Sequence, residues 1–366
     1  MRLLWVLSSL EGKVGTIVAQ MASSVLLEHG WEIDILPLNP LNPQVVSYPF
    51  PPGVEILSRP QMSHFGVKIG TKGLFRRLYT YYDRIVVDQN LDFSLKAIMA
   101  IGKHATDSHT ILICGQVASE LLASHGDQAP RLKKLMLDWY PGASRIIALS
   151  NRIYDDLVAN FGVSPRQITR LFLPIPLYVQ QVQPPQDPPL PSPRAEVVVF
   201  GELDPLKGLE GFLLMAKALY DQGILFRIAV LGDGPSRRDA QKLARSLNIN
   251  CVFAGWPLNP FEWFRSAEVL VAPQYLDGCA LDAQLAMFSG IPVLGYRAAS
   301  ALGELMSEYG IGELVDTNGP LALSDRLAQW LNHSRDKMGY RPLPETIKER
   351  LFGSAGHDAW MKALTG

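Results

Sequence analysis

Between residues 184 and 193 six of ten are proline, a density that neither a helix interior nor a central strand can hold, because each proline removes a backbone donor and fixes φ. A chain interrupted in this way folds as two bodies with a linker between them, and 366 residues suffice for two cores of ordinary size. On both sides short apolar runs alternate with longer amphipathic stretches, the pattern of parallel strands joined by crossover helices. The first half predicts strands at 2–7, 32–36, 110–114 and 145–149, with a helix over 16–29 closed by Gly30. The second half predicts strands at 196–200, 227–231, 251–254, 269–272 and 292–294, with helices over 209–222 and 237–247. The expectation is an α/β protein of two doubly wound, Rossmann-like domains, with ligands held beyond the carboxyl ends of the strands and in the cleft between the domains.

The charge balance removes some classes of function. With 34 Lys and Arg against 35 Asp and Glu the formal net charge is -1, so no global attraction for nucleic acid exists and any anion site must be local. A chain 48% hydrophobic and 19% charged is neither a disordered regulator nor a small disulfide scaffold. Cys114, Cys251 and Cys279 stand far apart and none sits at metal-ligand spacing from another cysteine or a histidine; they read as reduced, buried thiols of a cytoplasmic protein with no metal site. The apolar run after Arg2 is followed by Glu11 and Lys13 without a cleavage signature, so it reads as a buried first strand. No stretch approaches the roughly 18 apolar residues of a membrane span, which leaves a soluble protein or one peripheral to the inner membrane face.

The chemistry-bearing loops lie in the second half. Gly232-Asp233-Gly234-Pro235 connects a strand to a helix, where its glycines permit a tight turn and open backbone N–H groups to an anion; alone it is equally a structural turn. Lys207-Gly208 follows the strand at 196–200, where a lysine reaches a phosphate; an isolated Lys-Gly is more commonly a solvated loop. The run from Pro273 through Gln274, Asp277, Gly278, Cys279 and Ala280 leads into an apolar helix over 281–288 and a turn at Gly290. The start of that helix carries a positive dipole end, and Asp277 is placed either to accept from sugar hydroxyls or to cap the helix.

Taken in order, Phe200-Gly201-Glu202-Leu203 to Lys207-Gly208, Leu231-Gly232-Asp233-Gly234-Pro235, Phe253-Ala254-Gly255, Val271-Ala272-Pro273 and Asp277-Gly278 through Ala286-Met287, Gly290 and Pro292-Val293 resemble the donor domain of glycosyltransferase family 4, the group 1 glycosyl transferases. The resemblance spans about 196–330, and 146–150 through 173–176 resembles the same family's interdomain stretch. It implies the GT-B fold, with residues 1–183 as an acceptor-side domain, 184–195 as linker, 196–342 as the nucleotide-sugar domain and 343–366 as helices returning to the first domain. It further implies a retaining, metal-independent transferase that needs no cofactor beyond its nucleoside diphosphate sugar. Lys207 and Asp277 would be the catalytic pair; Gly201, Gly232, Gly234, Gly278, Cys279, Ala280 and Asp282, with Gly15 from the first domain, would line the donor.

The chain departs from the family pattern at three places. Glu202 stands where an arginine usually partners the lysine on the diphosphate, and Arg237, Arg238 or Arg297 would have to compensate. Leu285 stands where the second carboxylate usually holds the ribose; Asp282 lies three residues earlier on the same helix face, either as its substitute or as decoration of the first turn. The interval between Ile111 and Ile146 is short for the family's usual intervening strand, and the nearest histidines, His109 and His125, read as loop residues. These departures keep open a second reading, a degraded GT-B protein serving as partner of another transferase, and a third, a nucleotide-sugar epimerase on the same fold. Over residues 68–84, Lys68, Lys72, Arg76, Arg77 and Arg84 interleave with Phe75, Tyr79, Tyr81 and Tyr82, which suits a membrane surface or a polyanionic acceptor, or else a solvated helix with its aromatics turned inward. The acceptor, whether glycan, lipid or small molecule, is not encoded legibly.

Overall fold

The computed structural model of the protein describes residues 1–7, 10, 14–37, 50–57, 81–88, 110–123, 125–173, 194–257, 260–274, 279–297, 300–316, 320–333 and 341–365. They form two compact units, Met1–Leu177 with Arg350–Gly366, and Tyr178–Glu349. The proline-rich stretch at 184–193 lies outside the described residues.

In the first unit the elements run β1 (Arg2–Leu7), α1 (Val14–Glu28), β2 (Glu32–Pro37), β3 (Val54–Ile56), β4 (Arg84–Asp88), β5 (Thr110–Cys114), α2 (Ala118–Ala123), α3 (Ala129–Trp139), β6 (Arg145–Ala148), α4 (Asn151–Phe161) and β7 (Ile168–Arg170). Among the described residues they build a parallel sheet in the order β3-β2-β1-β4-β5-β6-β7. Leu3 through Leu7 and Ile111 through Cys114 are buried on both faces, the continuous apolar signature of a covered parallel strand. Helix α4 starts where the Ser150 hydroxyl accepts from the Ile153 N–H at 3.2 Å and stops at Gly162, left-handed with φ 64°.

As the short interval between Ile111 and Ile146 implied, no strand lies there among the described residues: β5 and β6 are direct neighbours joined through α2 and α3. A strand that the sequence did not predict, β4, lies between β1 and β5. Its polar ends, Arg84 and Asp88, leave only three apolar residues between them, and Arg84 closes the stretch at 68–84 that reads as basic and aromatic. Tyr82, just before it, is buried and donates to Asp34 at 2.5 Å, and burial together with that carboxylate raises its pKa. Tyr81 is exposed beneath the Arg2 guanidinium, 4.7 Å from the ring centre. Lys72, Arg76 and Arg77 lie outside the described residues.

The second unit runs β8 (Val197–Phe200), α5 (Leu209–Asp221), β9 (Ile228–Leu231), α6 (Arg237–Ser246), β10 (Cys251–Gly255), α7 (Pro260–Ser266), β11 (Val269–Ala272), α8 (Leu281–Ser289), β12 (Val293–Tyr296), α9 (Ser300–Tyr309), β13 (Gly312–Val315) and α10 (Pro320–Asn332). Its parallel sheet has the order β10-β9-β8-β11-β12-β13. Strand order therefore reverses between β8 and β11, the switch point where crossover helices leave to opposite sides and a crevice opens at the carboxyl edge. The core beneath it gathers Val197, Phe212, Leu213, Val230 and Val271. Helices α11 (Glu345–Phe352) and α12 (Ser354–Thr365) end the chain.

Helix α12 is held to the first unit's sheet by side chains that reach its last carbonyls. Arg84 donates to Leu364 O at 2.9 Å and Thr365 O at 2.6 Å, and Arg145 to Lys362 O at 2.8 Å and Ala363 O at 3.1 Å. Cations at a helix C-terminus also meet its negative dipole end. Trp360 adds an indole N–H bond to Phe172 O at 2.7 Å. Among the described residues no helix is long and apolar enough to cross a membrane.

Candidate functional site

The carboxyl ends of β8, β9 and β10 meet through backbone. Gly201 N bonds Leu231 O at 3.0 Å, Leu203 N bonds Asp233 O at 3.0 Å, Gly232 N bonds Gly255 O at 2.7 Å and Ser236 N bonds Leu203 O at 2.9 Å. This lacing leaves no room for side chains: a Cβ on Gly232, at φ 137°, would stand 1.8 Å from Gly201 O. A Cβ on Gly208, at φ 75°, would stand 2.3 Å from Pro273 O. Gly208 therefore pulls the turn after β8 directly onto the turn after β11, across the switch point. Lys207 closes the 3-10 turn Pro205–Lys207 immediately before it.

On the far side of the crevice α8 begins at Leu281, with Ala280 as its N-cap in the left-handed region at φ 47°, ψ 52°. A residue with a Cβ costs about 1 kcal/mol or more there, so the packing around this fully buried alanine imposes the turn. Asp277 and Gly278 lie outside the described residues; Cys279 and Ala280 are buried beside the helix start.

The structure separates the remaining sequence candidates. Leu285 is fully buried, so the position that the family gives to a ribose-binding carboxylate belongs here to the core. Asp282 is 4% exposed, accepting from Gln274 Nε2 at 2.9 Å on one oxygen and from Ala283 N at 2.9 Å on the other. Arg237 reaches the carboxyl end of β9, where it pairs with Asp233 at 2.6 Å and donates to Phe253 O at 3.1 Å. Arg297, after β12, is paired with Asp316 at 2.6 Å on the surface. Glu202 is half-buried directly after Gly201. In the first unit Gly15 lies in the opening turn of α1. His125 bonds Leu121 O at 2.8 Å, closing the end of α2, and His109 lies outside the described residues. Sequence reasoning gave no role to Gln274 or Gln284; the signal was a glutamine directly after a buried strand and another inside an otherwise apolar helix.

An open cavity of 330 Å³ lies elsewhere, at the amino ends of β4, β5 and β6, lined by Arg84, Ser144, Arg145, Gln167 and the end of α12. Its arginines already serve the α12 carbonyls and Gln167 bonds Pro141 O and Ala143 O at 2.9 Å each, so it is the seat of the C-terminal helix. Among the described residues no three His, Cys, Asp or Glu side chains gather at metal-binding distance, and the three thiols are unbridged.

Residues 183–342 match the family model of the glycosyl transferases group 1. The chain is 30% identical over 152 residues to the putative glycosyltransferase EpsF of Bacillus subtilis, covering 40% of this chain and 37% of that protein. It is 26% identical over 171 residues to the putative colanic acid biosynthesis glycosyltransferase WcaL of Escherichia coli, covering 44% and 41%. The matches thus span about two fifths of the length of these relatives. The crystal structure of Anabaena Alr3699/HepE in complex with UDP and glucose superposes with a TM-score of 0.70 over 100% of this chain and 99% of that one, at 13% identity. That likeness covers both units and shows the fold, the two Rossmann-like units of the GT-B architecture.

Proposed function

We propose that the protein, whose residues 183–342 match the group 1 glycosyl transferases, moves a sugar from a nucleoside diphosphate sugar to an acceptor, with the diphosphate held at the switch point between β8 and β11. The observation that carries this reading is the seating of Gly208 on Pro273, which brings the residue next to Lys207 against the turn that leads to α8. Lys207 supplies a positive charge and the first turn of α8 supplies fixed dipoles, the two kinds of group that stabilise a leaving diphosphate. Gly201, Gly232 and Gly234 keep the floor of the crevice free of side chains so that phosphates can approach backbone. Cys279 and Ala280 fix where the helix begins, directly after Asp277 and Gly278, which the family resemblance assigns to the sugar. Gly15 follows β1 at the first unit's own switch point, between β1 and β4.

Arg237 acts on this site by holding the Asp233 turn. The reaction retains the anomeric configuration and runs without metal, its charge balanced by protein groups alone. The acceptor is bound by the first unit, whose sequence carries Lys72, Arg76 and Arg77, basic residues suited to a membrane-borne or polyanionic molecule.

Calorimetric titration with UDP, GDP, ADP and their glucose conjugates tests the reading. UDP and UDP-glucose come first because HepE was solved with UDP and glucose. The expected result is saturable binding of one nucleotide, weakened at least about tenfold by Lys207→Ala, the loss of one charge-assisted contact. Absence of binding, or unchanged affinity in Lys207→Ala, overturns it.

A further inference from the structure

Three polar side chains are buried around the start of α8, where an apolar helix would be expected to have none. Asp282 is 4% exposed, Gln274 5% and Gln284 fully buried. Gln274 stands directly after β11 and donates to Asp282 Oδ2 at 2.9 Å, so it ties the end of the strand to the helix's first turn. Gln284, one turn further in, donates from Nε2 to Cys279 O at 2.8 Å, tying the helix back to the chain that enters it. Between these two ties Ala280 holds a left-handed backbone that alanine adopts only under constraint. Burying polar groups costs free energy unless they are bonded, so this arrangement persists because its bonds are made and loosens when one partner is removed.

We infer that Asp282 and Gln274 form a positioning pair for the proposed donor site, setting the direction of the α8 first turn, and that Asp282 acts through Gln274 instead of touching the nucleotide. The inference rests on the reading above, since the turn being aimed is the one proposed to face the diphosphate. Two features favour an indirect role. The carboxylate is withdrawn from solvent, whereas a ribose ligand must be reachable from the crevice. Both of its oxygens already accept bonds from this chain's own donors. The fully buried Leu285 means that no carboxylate one turn further along takes over the ribose either.

The test is a double-mutant cycle read as the ratio of UDP to UMP affinity, because a misdirected turn weakens the grip on the distal phosphate while leaving contacts to the nucleoside. Asp282→Ala and Gln274→Met should each lower that ratio about tenfold, the loss of one hydrogen bond to a charged group. The double variant should lose no more than either single one. Asp282→Asn, which still offers an oxygen to Gln274, should stay within about threefold of the wild type. A ratio unchanged in Gln274→Met, with the wild type binding normally, overturns the inference while leaving the proposed function standing. So does equal loss in Asp282→Asn and Asp282→Ala with Gln274→Met unaffected, which would put Asp282 on the ligand directly. Failure of the wild type to bind UDP, GDP or ADP overturns the functional reading and the inference with it. Variants that lose cooperative unfolding are replaced by Gln284→Met, for which the same fall in ratio is expected.

Discussion

Three glycines at the carboxyl edge of the second sheet and four turn glycines of the first unit stand in opposite surroundings. In the second unit Gly208, Gly232 and Gly234 are pressed against carbonyl groups of neighbouring strand ends, closer than any Cβ could approach. In the first unit Gly30, Gly126, Gly142 and Gly162 meet nothing within 4 Å, and they serve turns whose only demand is on the backbone angles. A close approach of backbone to backbone fixes both a residue type and its spacing from the next strand, whereas an open turn fixes only a local conformation. That difference separates a region built to present bare backbone from one that carries the sheet around it.

The comparison can be broken first by Gly232→Ala against Gly162→Ala. The former drives a methyl group into Gly201 O and should cost more than about 3 kcal/mol, as overpacking against backbone has no side chain to move aside. The latter adds a methyl in open space at φ 64° and should cost only about 1 kcal/mol. Urea unfolding of each variant checks both, and equal losses would remove the distinction. Next in size, Arg84→Ala deletes two bonds to the α12 carbonyls and should cost about 2 kcal/mol, seen as a lower Tm and earlier proteolysis at the C-terminus. An unchanged cleavage pattern would mean that Arg145, Trp360 and apolar packing suffice to hold α12.

The smallest effect on stability concerns the thiols. Burial pushes Cys251 up to about 12, at the edge of the second sheet. The folded thiol keeps its proton to higher pH than the unfolded one, so its contribution is full below about pH 9 and is lost as pH rises towards 12. At pH 8 it should react with iodoacetamide at least about a hundredfold more slowly in the folded than in the unfolded protein. Mass spectrometry of timed samples reads this directly, and labelling at the unfolded rate would contradict the burial.

The same contrast explains what could be read from residues alone. The second sheet was legible because strand, glycine turn and helix recur there with packing-enforced spacing: Val269–Ala272 appears as expected, and Val197–Phe200 within one residue. In the first unit β4 was not legible, since Arg84 and Asp88 end a five-residue strand that leaves only Ile85, Val86 and Val87 as apolar signal, and Arg84 serves the C-terminal helix rather than the strand itself. Strands β3 and β7, three residues each, carry too short a pattern to detect, and β13 begins with Gly312, which the close passage of Val293 O requires. At the candidate site the sequence pointed to Lys207, Gly208 and the start of α8. It could not foresee that Asp282 turns inward to Gln274, because only the packing of α8 on β11 decides which side of the first turn is buried.

The central claim is that the carboxyl edge of the second sheet, at the switch between β8 and β11, holds the nucleoside diphosphate. Amide hydrogen exchange with and without saturating UDP-glucose tests it most directly. The account predicts that the strongest new protection falls on peptides covering 201–208, 232–236 and 279–283, with 145–170 unchanged. Saturable binding whose protection falls on 145–170, leaving those three stretches exchanging as before, would contradict it.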